Sequence, residues 1–399
     1  MEQSMHVWPK YLLQWFWQVK RDLPWRKTNN PYAIWVSEIM LQQTQVKTVI
    51  PYYQTFLERF PTVQSLAQAE LEEVLEMWRG LGYYSRAQHL WEGARFVLED
   101  WEGKLPASYD SLLKIPGVGE YTAGAIASIA FQERVPAIDG NVNRVLARLL
   151  AWEEPPGKVK SRRAFREVLG KCQPDDHPGD FNQALMELGA ILCTPKFVNC
   201  AECPLTEECA AHKLGQELAF PVKQGQHRVT EALRLTLLIK KEDNFLIKKR
   251  PAQGLLANLW EFPGEEIFLQ NVESLKEKIW SEAVAESKEG LSRVVLNREV
   301  WYELYRRVVP DRSQDQEVWR KLEQSLEVMG PIGHVFSHRR WEMYWIVLEC
   351  SGELMAKDRR NQDMRWVSRE ELERIALPVA FQKLLEPSEV ENRINKRNT

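Results

Sequence analysis

Apolar positions recur at helical spacing through the first 220 residues and then stop doing so. Tyr11 to Val19, Ile34 to Ile50, Leu71 to Met77 and Ala87 to Leu98 each read as helix. The clearest repeat is Asn141 to Ala151, where Val142, Val145, Leu146, Leu149 and Leu150 follow i, i+3, i+4, i+7, i+8. The stretch Phe220-Pro-Val-Lys-Gln-Gly-Gln-His-Arg228 is polar and aperiodic, which marks a linker. Beyond it, Leu233 to Ile239 and Phe245 to Lys249 are short apolar runs around Lys241-Glu-Asp-Asn244, a predicted β-hairpin. Met343 to Leu348 predicts a further strand, and Asp315 to Val328 a helix. The pattern predicts a multidomain chain: an all-α domain over 1–222, a linker at 223–230, an α+β domain over 231–370, and a C-terminal helix and tail over 371–399.

A chain of 399 residues, 44% hydrophobic and 27% charged, has room for two or three ordinary cores. No apolar run is long enough to span a bilayer, and Met1 to Lys10 lacks a basic-then-apolar secretory pattern. The formal net charge of −3 gives no overall bias toward nucleic acid, so any such contact must be local. Cysteine changes the picture more. Four fall in the pattern Cys193-x6-Cys200-x2-Cys203-x5-Cys209, while Cys172 and Cys350 stand apart with no disulfide framework, which points to a reducing compartment. Four thiolates so close together enclose either zinc or an iron–sulfur cluster. The single C-x2-C and its unequal arms suit a cubane better than the paired knuckles of a zinc site.

Three further features carry candidate chemistry. In Leu112-Leu-Lys-Ile-Pro-Gly-Val-Gly-Glu-Tyr-Thr-Ala123, Gly117 and Gly119 allow a sharp turn that presents backbone N–H groups at the start of the next helix. Such a turn grips a phosphate backbone without reading bases. Asp139 precedes the helix from Asn141 at an N-cap position, where the helix dipole favours the anion. Glu38 follows a helix start at Asn30-Pro31 and has Ile34, Trp35 and Leu41 on its face, so burial should raise its pKa. A plain structural pairing of Glu38 with a buried arginine such as Arg26 is the alternative. One carboxyl held neutral and another held charged is what N-glycosidic cleavage needs: the first protonates the leaving base, and the second stabilises an oxocarbenium-like sugar.

Trp35-Val-Ser-Glu-Ile-Met-Leu-Gln-Gln-Thr-Gln-Val46, Leu81-Gly-Tyr-Tyr-Ser-Arg86, Ile115 to Tyr121, Asp139-Gly-Asn-Val142 and the cysteine loop together resemble MutY-type adenine DNA glycosylases of the endonuclease III superfamily. The resemblance covers essentially the whole chain. It implies an all-α helix-hairpin-helix glycosylase domain with a six-helix subdomain at about 30–135 and an iron–sulfur subdomain from 1–29 and 136–222, followed by a Nudix-like α+β domain. It implies one [4Fe-4S] cluster on Cys193, Cys200, Cys203 and Cys209, and removal of adenine opposite 8-oxoguanine or guanine in double-stranded DNA. Glu38 would protonate the adenine, Asp139 would stabilise the sugar, and Tyr121 and Asn141 would stand at the reaction centre. Tyr121 occupies the hairpin position where bifunctional relatives carry a Schiff-base lysine, so a monofunctional enzyme is expected. Gln42, Gln43, Thr44, Tyr83, Arg26 and Gln183 match DNA-facing or base-facing positions.

In the second domain, Phe336-Ser337-His338 matches an element that reads 8-oxoguanine, with Arg339 and Arg340 beside it as phosphate contacts. Glu265 to Glu289 lacks the Arg-Glu-x-x-Glu-Glu arrangement of a working Nudix enzyme, so no nucleotide hydrolysis is expected. A bacterial, cytoplasmic, nucleoid-associated monomer without membrane attachment completes the expectation. A nucleotide-pool hydrolase and a non-catalytic DNA-structure binder are the rival readings; the missing metal helix opposes the first, and the pair Glu38 and Asp139 the second.

Overall fold

The computed structural model describes residues 8–223, 225, 229–268, 298–309, 315–324, 328–336, 338–350 and 364–385. The chain divides into two compact units, Met1–Gly225 and Gln226–Thr399. Among the described residues no helix is long and apolar enough to cross a membrane.

The first unit is helical: α1 Trp8–Val19, α2 Pro31–Leu41, α3 Val46–Arg59, α4 Val63–Ala67, α5 Leu71–Met77, α6 Ser85–Trp101, α7 Tyr109–Leu112, α8 Glu120–Phe131, α9 Gly140–Leu149, α10 Val159–Cys172, α11 Pro178–Ile191 and α12 Ala210–Lys213. Leu12 and Phe16 of α1 pack with Val145 and Leu146 of α9, Phe165 and Leu169 of α10, and Phe181 and Leu188 of α11. The N-terminal helix therefore closes a core whose other members come more than a hundred residues later.

Helix α2 starts where the sequence places it. Asn30 accepts from the N–H groups of Tyr32 (2.9 Å) and Ala33 (3.3 Å), and Pro31 occupies the first turn. From Tyr32 to Met40 every residue is buried, so the helix has no solvent face at all. The predicted run from Ile34 to Ile50 is interrupted: α2 ends at Leu41 and α3 begins at Val46. The break contains Gln43 at φ 57°, a left-handed conformation without glycine. Helix α6 crosses close to both α2 and the hairpin turn, because a Cβ on Gly93 would lie 2.8 Å from the Trp35 ring and 2.9 Å from the Pro116 carbonyl oxygen.

In the second unit, the described residues form a seven-stranded sheet: β1 Thr230–Lys241, β2 Asn244–Lys249, β3 Trp260–Glu261, β4 Gly264–Phe268, β5 Met329–Val335, β6 Arg339–Glu349 and β7 Met364–Ser368. The order is β3-β2-β1-β6-β5, with β4 also on β1 and β7 on β2. The expected hairpin is β1–β2, in register Lys241↔Asn244. β1 and β6 run parallel from Thr230↔Arg339 to Lys240↔Glu349. One face of β1, through Leu233, Leu235, Leu237 and Ile239, packs on Trp301, Leu304 and Tyr305 of the helix Arg298–Val308. Ala232 and Leu238 on the other face join a core with Trp341 and Phe381.

That second core extends past the expected boundary at 370. Leu372, Ile375, Leu377, Ala380 and Phe381 are all buried in it, because the helices Arg369–Arg374 and Val379–Gln382 fold back onto the sheet. The tail from 386 on, the linker positions 224 and 226–228, and positions 269–289 of the segment tested for a metal helix lie outside the described residues.

Candidate active site and DNA-facing loops

Glu38 sits in the last turn and a half of α2 and is 6% exposed. The Tyr121 hydroxyl, from the first turn of α8, donates a short hydrogen bond to its Oε2. Burial pushes the Glu38 carboxyl up to about 7; the Tyr121 bond pulls it down, the charge of Asp139 raises it, and Arg26 lowers it. The Tyr121 hydroxyl is itself raised well above its ordinary range by burial, then by Glu38 and Asp139. Glu38, Tyr121 and Asp139 thus share one electrostatic neighbourhood. The Met186 sulfur of α11 lies 3.8 Å from the Tyr121 hydroxyl, and Gln183, half-buried, is one helical turn before it.

Asp139 caps α9 as its position requires, accepting from the Val142 N–H at 2.7 Å. The cap favours the anion as expected, but it does not decide the net direction. Burial outweighs the donors and moves the carboxyl above its ordinary value, while the Val142 N–H, the Asn141 side chain and Arg144 oppose the rise. Asn141 Nδ2 donates to Asp139 Oδ2 at 2.8 Å, and Asn141 Oδ1 accepts from Arg144 Nη2 at 2.8 Å. Arg144 also donates to the backbone oxygens of Cys193 (2.8 Å) and Gly189 (2.7 Å). A continuous chain of bonds therefore joins the first cysteine of the loop to Asp139. Arg144 has no motif of its own in the sequence; only its place one turn into α9, beside the cap, could have drawn notice.

The four cysteines are unpaired, and each is half-buried. Burial raises the Cys200 and Cys203 thiols to about 11 and raises Cys209, and each of these three also feels the charges of its sulfur neighbours, Cys193 included. Three thiols raised by burial, with the sulfur of Cys193 beside them, form a donor set that a multivalent iron–sulfur centre would satisfy, since a bound cation inverts that penalty. Arg148, buried in α9, donates to Cys193 Sγ at 3.1 Å. His212 and Glu217, bonded to each other at 2.6 Å, stand beside Cys200.

The hairpin turn precedes α8. Gly117 has φ 77°, and an added Cβ would meet His89 at 2.5 Å, so glycine is required there twice over. Gly119 is different. It caps α8 in an extended conformation with open space around it, so it serves the turn by leaving the helix start accessible.

The DNA-facing expectations divide. Gln43 and Tyr83 are exposed loop tips, Tyr83 at 49%, and both have positive φ (57° and 50°). Gln42 is half-buried and donates to the Thr122 hydroxyl at 3.4 Å. The Thr44 hydroxyl turns inward, where it accepts from Arg86 Nη2 at 3.2 Å. Arg26 is corrected outright. It pairs neither with Glu38 nor with an open surface, because its guanidinium binds Glu187 at 2.9 Å alongside Arg21 at 2.6 Å. Arg26 lies over the Phe16 ring with its side chain 12% exposed, so it is a scaffold cation. Glu187 could not have been foreseen as its partner at a separation of 161 residues.

In the second unit, the Phe336 N–H donates to the Arg339 carbonyl at 2.7 Å across the turn between β5 and β6. The Phe336 ring packs edge-on against His334 and Trp341, and His338 is exposed. Ser337 lies outside the described residues. Arg339 is held by Glu266 at 2.8 Å in an internal ion pair, and Arg340 is exposed, 3.8 Å from the Glu231 carboxylate.

Residues 36–171 match the family described as HhH-GPD superfamily base excision DNA repair protein, and residues 234–387 match the NUDIX domain. The helical unit is similar to a solved thermostable thymine-DNA glycosylase, at 28% identity and a TM-score of 0.50 over 53% of this chain and 98% of that one. The family match and the fold are those of a helix-hairpin-helix DNA N-glycosylase of base excision repair. The chain is 37% identical to an adenine DNA glycosylase of Arabidopsis thaliana over 94% of its own length and 63% of that protein, and 34% identical to the adenine DNA glycosylase of Homo sapiens over 94% and 72%. It belongs to the adenine DNA glycosylase family.

Proposed function

We propose that this chain is a monofunctional glycosylase that hydrolyses the N-glycosidic bond of adenine opposite 8-oxoguanine or guanine in duplex DNA. The observation that carries the reading is a buried acid, Glu38 at about 7, hydrogen-bonded by Tyr121 and within the field of Asp139. A carboxyl near neutrality can both give a proton and take one back. Glu38 protonates the extruded adenine, at N7 by the family resemblance, and the glycosidic bond breaks as positive charge builds on the sugar. Asp139, oriented by its cap bond and by Asn141, faces that charge as a carboxylate. Glu38, now an anion, takes a proton from the attacking water. Tyr121 offers a hydroxyl and no amine, so no imine forms and the strand is left intact.

Gln43 and Tyr83 support the extruded state from their exposed tips, and the Gly117–Gly119 turn holds phosphate. The cysteine quartet is the proposed seat of one [4Fe-4S] cluster, which when bound holds the loop from Cys193 to Cys209 in shape. The turn at Phe336-Ser337-His338 is the proposed reader of 8-oxoguanine. A serine hydroxyl can accept from the N7–H that 8-oxoguanine has and guanine lacks.

Incubation with an adenine:8-oxoguanine duplex should yield strand breaks after alkali and none before it. Breaks without alkali would contradict the monofunctional assignment, and no breaks under either condition would contradict the activity. Ser337→Ala should lower the preference for 8-oxoguanine over guanine; an unchanged ratio would remove Ser337 as reader.

A further inference from the structure

A helix leaves its last four carbonyls without partners, and the common remedy is a glycine or asparagine just past the end. Helix α2 has neither. Its end is closed by a cation from another helix. Arg86, in the first turn of α6 and 7% exposed, donates through Nη1 to the carbonyls of Ile39 (2.9 Å), Met40 (2.8 Å) and Gln42 (2.6 Å). Its Nη2 donates to the Thr44 hydroxyl (3.2 Å) and the Gly82 carbonyl (3.0 Å), and its Nε to the Tyr83 carbonyl (3.4 Å). The guanidinium also lies 5.4 Å from the ring centroids of both Trp78 and Tyr83.

All six acceptors are neutral oxygens, and they come from two stretches of chain, 39–44 and 82–83. Each stretch carries one exposed non-glycine residue in the left-handed region, Gln43 and Tyr83. Without glycine such a conformation is costly and persists only where the surroundings impose it. Here one buried group imposes both. A buried cation surrounded by fixed dipoles is also difficult to move, since every displacement leaves donors and carbonyls unpaired.

We infer that Arg86 is a positioning residue that fastens the Gln43 and Tyr83 tips into one rigid wedge, so that they enter the duplex together. The inference rests on the proposed reading of those tips as supports for an extruded adenine. A duplex carrying 2′-fluoro-2′-deoxyadenosine, which resists cleavage, opposite 8-oxoguanine and beside 2-aminopurine reports extrusion as fluorescence. In the otherwise unchanged protein, Gln43→Ala and Tyr83→Ala should each lose most of the extrusion, and the double variant should lose little more. Arg86→Lys cannot span the six acceptors. It should lower extrusion about tenfold, and in that background the two tip substitutions should act independently.

Normal extrusion by Arg86→Lys, or the same coupling between the tips with and without the guanidinium, would overturn the assignment. Should neither tip substitution alter extrusion in the unchanged protein, the wedge reading falls and takes this inference with it, by a different signature. If thermal melting shows that Arg86→Lys does not fold, Thr44→Val serves instead. It removes one acceptor at nearly constant size and should weaken the tip coupling about threefold; full coupling would count against the clamp.

Discussion

Replacing Glu38 with glutamine should disarm the enzyme and, above neutral pH, make it more stable. Burial holds the Glu38 carboxyl at about 7 against an ordinary 4.5. At pH 7 such a group is protonated about 150 times more often than a free one, which corresponds to about 3 kcal/mol. The same quantity acts on folding. The folded-state value lies above the unfolded one, so the contribution is fully present below 4.5 and is lost as pH rises through about 7. Glutamine stays neutral throughout, keeps an oxygen to accept from Tyr121, and escapes the loss. Relative to the unsubstituted protein, the melting temperature of Glu38→Gln should therefore rise between pH 5 and pH 8, by about 2–4 °C for each kcal/mol in a unit of this size. Scanning calorimetry at the two pH values measures it, and carboxylates outside the field of Glu38 cancel in the difference. Single-turnover adenine release should fall about 100- to 10,000-fold, as expected for loss of a general acid, with duplex binding retained. A melting difference identical at both pH values would refute the titration. A normal rate would remove Glu38 as the proton donor.

Tyr121→Phe removes a bond that favours the Glu38 anion, so the alkaline fall of the pH–rate profile should move to higher pH; a limb that stays put or moves down contradicts that role. Burial alone would raise Glu187, but the bonds from Arg21 and Arg26 prevail and bring it down to about 2. Its contribution is present above its ordinary 4.5 and lost as pH falls toward 2, so Glu187→Gln should cost up to about 3 kcal/mol in urea at pH 7 and less at pH 3. An equal loss at both pH values would exclude the ion pair as its origin. Purified protein should hold iron and sulfide at about four each per chain; stoichiometric zinc would overturn the cluster assignment.

Much of the helical unit was readable because its determinants are local. The cap at Asn30, the cap at Asp139 and the repeat along α9 each depend on neighbours within a turn. The break after Leu41 was not readable. Gln42-Gln-Thr-Gln45 contains no glycine or proline, and what ends α2 is Arg86, 44 to 47 residues away. Arg26 failed for the same reason, since its partner Glu187 is brought close only by the packing of α1 on α11. At Asp139 the local rule gave the cap and its pull toward the anion correctly but not the larger opposing push of burial, which depends on everything packed around the site. The hairpin β1–β2 was legible from two short apolar runs around the polar Lys241–Asn244. The parallel pairing of β1 with β6, which sets the turn after Phe336 beside the start of β1, joins segments about a hundred residues apart and left no local trace.

The absent side chain at Gly93 bears on how far this sequence can drift. A single methyl there would press at once on Trp35, one turn before Glu38, and on Pro116, in the hairpin turn that opens α8. Neither neighbour is a flexible tip that could swing aside. Natural variation should consequently spare this position while the polar flank of α6 changes freely, and an inherited alanine at 93 would impair repair although it lies in no motif for chemistry.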